Sequence, residues 1–222
     1  MSSYMKKQGS SGKRSAGLTR SKPEPGYHHG ELQEALIAAS EAILAEQGAE
    51  GFTLREAARR AGVSPAAPSH HFGNAQGLLT EVAIRGYDAL AEALRAAASG
   101  KQGAREKLRA QGLAYVDFAL RHPGRFQMMF ANKRLVADDA RLKQASRAAG
   151  HAFETVVAEL VGGTAKEAKT AAAAAWSTVH GFAKLALEEK FGSVRNEGGR
   201  REIMMTLDQV LNYLWSASGA RR

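Results

Sequence analysis

From Glu31 onward, apolar residues return every three or four positions. Leu32, Leu36, Ala39 and Ile43 make one stripe, the spacing of a helix with one buried face. Gly48 ends that run. Thr53-Leu54-Arg55-Glu56 then has the form of a capping box, in which the threonine hydroxyl accepts from the glutamate amide and the glutamate side chain reaches back. The helix it starts is short, because Gly62 supplies a left-handed turn. Ser64 and Pro65 fit the cap and first residue of a third helix, where the missing N–H of proline costs nothing. Residues 53–72 therefore read as helix, three-residue turn, helix. Ala58, four residues before Gly62, is small enough for the two helices to cross closely, and this is helix-turn-helix spacing.

The helical pattern continues to the end of the chain. Asn74 is placed to cap a helix reaching about Ala98, with Leu78, Leu79, Val82, Leu90 and Leu94 on its apolar side. Further helices are expected over roughly 104–122, 138–161, 164–191 and 200–217, with a short apolar helix or turn at 125–130. Glycines at 162–163 and the run Asn196-Glu197-Gly198-Gly199 read as breaks, and Thr164 to Glu167 as a second capping box. No stretch alternates with period two, so the expected fold is all-α.

Composition narrows the function. At 222 residues the chain can hold one full core, or a small domain joined to a larger one. The absence of cysteine excludes disulfides, thiolate metal sites and a cysteine nucleophile. No apolar run reaches membrane-spanning length and no signal-peptide stretch opens the chain, so a reduced, cytoplasmic protein is expected. The net charge of +9 is unevenly spread: residues 1–25 carry +5, whereas residues 26–88 set four arginines against eight carboxylates. Residues 1–25 are too polar to pack and are expected to be a disordered basic arm, either a solvated leader or a source of added phosphate contacts. The histidine pairs at 28–29 and 70–71 are adjacent residues whose side chains diverge on a helix, so no metal site is expected. No nucleophile–base pair and no phosphate-cradling glycine loop is present, and neither a cofactor nor an enzyme is expected.

The run LREAARRAGVSPAAPSHHFGNAQGLL (54–79), preceded by YHHGELQEALIAASEAILAEQG, resembles the TetR/AcrR family of bacterial transcriptional regulators. WSTVHGF, holding Trp176, His180 and Gly181, and HPGRFQMMF (122–130) are similar to a subgroup with a Trp…His-Gly motif. The resemblance implies a helix-turn-helix DNA-binding domain over 26–74 and a larger helical domain over 75–222 that binds an effector and dimerises. It implies DNA contacts from Thr53, Arg55, Ser64, Pro65, Ala66, Ala67, Ser69 and His70. Alanine methyls suit thymine methyls, Ser and His can hydrogen-bond, and Arg55 with the capped start of its helix suits phosphate. Arg59 and Arg60 are open to either phosphate contact or surface ion pairing. An effector pocket is expected from Tyr115, Phe118, Phe126, Met129, Phe130, Phe153, Trp176 and His180, a lining suited to an apolar or aromatic small molecule, although any one of them taken singly fits a packed core better. The helices at 164–191 and 200–217 are expected to pair with their copies in a homodimer that matches a palindromic operator on double-stranded DNA.

The expected activity is a repressor released by its effector. A constitutive DNA-binding regulator without an effector and a carrier or enzyme on the same fold are the rival readings. Two positions depart from the family pattern: Ser69 stands where tyrosine is usual and Ala75 where lysine is usual, which removes two phosphate contacts per subunit. Pro68 replaces an inward-facing aliphatic residue, and its ring is expected to pack inward.

Overall fold

A computed structural model of the chain describes residues 28–217. The basic arm expected over 1–25 lies outside them, as do the side chains of His28, His29 and Trp215. The described residues form nine α-helices and a 3-10 turn at Asn132–Arg134, with no strand among them.

The first three helices form around one apolar cluster. α1 (His28–Gln47) contributes Leu36, Ile37, Ile43 and Leu44, all almost wholly buried. α2 (Leu54–Arg60) is capped by Thr53, whose Oγ1 accepts from the Glu56 amide at 3.2 Å. The reciprocal half of the expected box is absent, because the Glu56 carboxylate is held by the guanidinium groups of Arg59 and Arg60. Charged donors outcompete a backbone N–H for a carboxylate. The complete box lies at Thr164, which accepts from the Glu167 amide at 3.3 Å while its own amide donates to Glu167 at 2.7 Å. α2 stops as expected: Gly62 takes φ +68°, and the Val63 and Gly62 amides return to the Ala58 and Arg59 carbonyls at 3.0 and 3.3 Å.

α3 (Ala67–Phe72) corrects the expected helix start. Ser64 is not its cap and Pro65 is not its first residue. The Ala67 amide closes a turn onto the Ser64 carbonyl at 3.0 Å, and the first α-helical bond runs from the His70 amide to the Ala66 carbonyl at 3.1 Å. Pro68 has no N–H with which to bond the Ser64 carbonyl, so the helix begins two residues later. Pro68 therefore lies within the first helical turn, and its side chain is buried.

α4 (Ala75–Ala98) is capped by Asn74, whose side chain accepts from the Gly77 amide at 2.9 Å, and it runs through both apolar clusters of the molecule. α5 (Ala104–Arg121), α7 (Ala140–Val161), α8 (Ala165–Leu187) and α9 (Glu197–Ala217) build the second cluster. α8 ends four residues before the expected position, since Glu188 caps it and Glu189 turns left-handed at φ +56°. α9 starts earlier than expected. The Asn196 side chain accepts from the Gly199 amide at 2.8 Å, so the glycine pair forms the first turn rather than a break.

α6 (Pro123–Met129) is the wedge between the two clusters. A Cβ on Gly124 would lie 2.5 Å from the Glu41 carbonyl oxygen of α1, and one on Gly86 of α4 would lie 2.7 Å from Met129 Sδ. Both glycines are thus required for the close approach of α6 to its neighbours. Arg125 pairs with Glu41, and the Tyr87 hydroxyl of α4 donates to the Met129 carbonyl at 2.6 Å.

Candidate nucleic-acid interface and ligand cavity

On α3, Ala66, Ser69, His70 and Gly73 are exposed at the helical spacing i, i+3, i+4 and i+7, while Pro68 is buried and Phe72 is half-buried on the other side. The turn before them leaves Ser64 and Pro65 exposed and Ala67 partly so. Thr53, Arg55 and Pro65 meet with Glu56, Arg59 and Val63 around a crevice of about 380 Å³. The start of α2 and the turn before α3 thus share one surface, which offers orphan N–H groups and a guanidinium to an anion. Arg55 is exposed and makes no ion pair among the described residues. Arg59 and Arg60 are engaged: both bind Glu56, at 2.7 and 2.8 Å, and Arg60 also binds Glu46 at 2.8 Å. Their hydrogen bonds hold the Glu56 carboxyl down to about 2. For these two arginines ion pairing prevails over a free cationic surface.

A second concavity, of about 520 Å³, opens between α4, α5, α7 and α8. Four of the eight residues expected there line it: Tyr115, Phe130, Phe153 and Trp176. Phe118, Phe126 and Met129 instead belong to the second apolar cluster, 5%, 0% and 1% exposed. His180 sits just behind the wall. Trp176 Nε1–H donates to the Tyr115 oxygen at 3.3 Å, and the Tyr115 hydroxyl lies 2.9 Å from His180 Nδ1. Burial raises the Tyr115 pKa, and burial first, with Lys184 second, lowers that of His180. A protonated tyrosine donating to a neutral imidazole is the arrangement these shifts favour. The rings of Phe126, Phe130 and Trp176 surround His180 at centroid distances of 5.5, 4.5 and 5.2 Å.

Periodicity did not reveal the rest of the lining. Tyr87, Leu90 and Leu94 come from α4, Ser146, Ala149, Gly150 and Glu154 from α7, and Lys169, Ala172 and Ala173 from α8. Two faint signals were present in the sequence: an aromatic residue, Tyr87, within the aliphatic stripe of α4, and a glycine, Gly150, within a helix with nothing to avoid.

The outer face of α8 and α9 is apolar and uncovered within the subunit. Leu185, Met205 and Tyr213 are 44%, 59% and 77% exposed. A Cβ on Gly181 would meet nothing within 4 Å, so this mid-helix glycine serves no contact inside the subunit. Ile203, Leu207 and Leu211 of α9 face the other way, fully buried in the second cluster. No described helix is long and apolar enough to cross a membrane.

Comparison with known proteins fits this geometry. The family model described as "Bacterial regulatory proteins, tetR family" matches residues 36–82, and "Tetracyclin repressor-like, C-terminal domain" matches residues 108–206. No curated protein sequence matches the chain. Among solved structures, a protein of unknown function from Rhodococcus sp. RHA1 is 33% identical with a TM-score of 0.66, over 85% of this chain and 97% of that one. A transcriptional regulator from the same organism is 26% identical with a TM-score of 0.63, over 83% and 96%. The TetR family regulator PfmR from Thermus thermophilus shares the fold at 17% identity and a TM-score of 0.62, over 79% and 96%. With a capped helix-turn-helix in the first matched segment and a helical cavity-bearing unit in the second, the chain belongs to the TetR family of DNA-binding transcriptional regulators.

Proposed function

We propose that the protein is a ligand-responsive repressor that binds a palindromic operator as a homodimer and leaves it when a small apolar effector enters the cavity. The observation that carries this reading is the aromatic cavity of about 520 Å³ built directly on α4, the helix that follows the helix-turn-helix. Its volume suits a small organic molecule. α4 lines it with Tyr87, Leu90 and Leu94, and through Tyr87 holds the end of α6, whose other end is locked onto α1 at Gly124. A ligand that displaces Tyr87 therefore acts on a chain of rigid contacts reaching the DNA-facing helices. Effector and operator then favour different arrangements of α4 and α6, and each weakens the other's binding by the same factor.

On the DNA side, Ala66, Ala67, Ser69 and His70 face the major groove, while Thr53, Ser64, Pro65 and Arg55 meet the phosphates beside it. The DNA-reading unit is poor in free cations, since Arg59 and Arg60 are paired. Residues 1–22 supply the missing counterion release in this reading. The uncovered faces of α8 and α9 meet their copies across a twofold axis, with Gly181 permitting close approach. Nuclease footprinting of the region upstream of the protein's own gene tests the proposal. Two protected half-sites related by a dyad are expected, with protection lost in Arg55→Ala. A single protected site, or protection unchanged by Arg55→Ala, refutes the arrangement.

A further inference from the structure

Beside the aromatic cavity lies a second, smaller crevice of about 270 Å³, lined by Tyr87, Met129, Leu135, Leu142, Lys143, Ser146 and Arg147. Tyr87 and Ser146 line both spaces and are the wall between them. The two compartments differ in chemistry. The first presents the rings of Tyr115, Phe130, Phe153 and Trp176, with one acidic and one basic residue, Glu154 and Lys169, among its lining. The second contains two basic side chains and no acidic one. Lys143 is paired with Asp138 at 2.8 Å, but Arg147 makes no ion pair among the described residues. From Leu142 to Phe153 the lining follows one helix, α7, over about 16 Å at 1.5 Å per residue.

We infer that the effector is an amphipathic anion: a flat apolar body held in the aromatic compartment, and an acidic group placed at the Tyr87–Ser146 wall toward Arg147. This rests on the proposal that the cavity is the effector site, and adds one acidic group to the apolar ligand of that reading. The Tyr87 hydroxyl is committed to the Met129 carbonyl at 2.6 Å, and Ser146 shares the wall with it, offering a hydroxyl to both compartments. An ionised acid is a stronger acceptor than any neutral oxygen, so at this wall it draws the Ser146 hydroxyl as a donor. The guanidinium of Arg147 lies one residue along the same helix and supplies the countercharge. The acid then sits beside Tyr87, at the point where α4 holds α6. The ligand's charge is thus read beside the element that carries the coupling, and a neutral analogue meets the aromatic space alone.

The test uses two dyes that differ by one acidic group, 1-anilinonaphthalene-8-sulfonate and neutral N-phenyl-1-naphthylamine. Both are titrated by fluorescence into the full-length wild type, Arg147→Gln and Arg141→Gln. Arg141 lies on the same helix but lines neither compartment and pairs with Glu81 at 2.8 Å, so it reports general surface charge. The sulfonate is expected to bind about tenfold more tightly than the neutral dye at low salt, the scale of one charge-assisted hydrogen bond. That advantage falls to within about twofold in Arg147→Gln, with neutral-dye affinity unchanged, and persists in Arg141→Gln. Equal binding of the two dyes to wild type, equal weakening of both by Arg147→Gln, or loss of the advantage in Arg141→Gln overturns the inference. If the neutral dye binds and releases operator DNA while the sulfonate does neither, the cavity remains the effector site and only the anionic assignment falls. If neither dye binds at one per subunit, the effector-site reading falls and takes this inference with it.

Discussion

The interlock of α6 against α1 can be tested by a pair of glycine substitutions whose signs should be opposite. A methyl group on Gly124 would sit 2.5 Å from the Glu41 carbonyl oxygen, 3.2 Å from the Ala45 nitrogen and 3.2 Å from Leu44 Cβ. Ordinary contact begins near 3.4 Å, so Gly124→Ala forces α6 away from α1 by nearly 1 Å, against backbone that has no rotamer with which to yield. Overpacking of this kind costs about 1–3 kcal/mol. Alanine's helix propensity returns little of that, because Gly124 lies in the first turn of a seven-residue helix. Gly150 is the control: it lies inside the 22-residue α7, and an added Cβ meets nothing within 4 Å. Gly150→Ala should therefore stabilise by about 1 kcal/mol. At roughly 2–4 °C per kcal/mol for a chain of this size, thermal unfolding at fixed protein concentration should show Gly150→Ala rising by about 2–4 °C and Gly124→Ala falling by about 2–12 °C. A Gly124→Ala protein as stable as wild type would mean that α1 and α6 are not locked together. The proposed route from cavity to DNA face would then lose its rigid link.

Three further outcomes are expected. Glu56→Gln releases Arg59 beside the proposed DNA surface, while Arg60 keeps Glu46, so DNA affinity should rise and the salt slope steepen by up to about one phosphate contact per subunit; fluorescence anisotropy across a salt series reads this, and an unchanged slope places Arg59 away from DNA. Gly181→Ala should weaken the dimer about tenfold in sedimentation equilibrium if a partner copy packs closely on α8; a monomer stabilised as Gly150→Ala is would refute that packing. His180 and His122 both have pKa values lowered chiefly by burial, aided by Lys184 and Arg125 respectively. The unfolded chain therefore takes up protons first as pH falls through about 6.5, and urea midpoints should drop between pH 7.5 and 5.5, less so in His180→Gln; a rise over that window contradicts neutral, buried imidazoles.

The sequence by itself determined the elements and most of their ends, because these are set by neighbours along the chain. The stripe of Leu36 and Ile43, the Thr53, Asn74 and Thr164 hydroxyl and amide caps, and the left-handed Gly62 are local chemistry, legible without any fold. The helix-turn-helix was readable for the same reason, since it is only about twenty residues of consecutive signals. Where the reading failed locally, competing partners decided. Arg59 and Arg60 took the carboxylate that Glu56 was expected to turn toward its cap, and Pro68 delayed the helix that Ser64 was expected to start. The cavity was a different matter. Tyr87, Ser146, Phe153 and Trp176 stand as far as 89 positions apart, and aromatic residues on an apolar stripe look the same whether they fill a core or bound a space. Only the packing of four helices separated Phe126, wholly enclosed, from Phe130, which lines the opening. Gly181 shows the same division: the sequence marks a weak point in a helix, and only the tertiary structure shows that a Cβ there would meet open space.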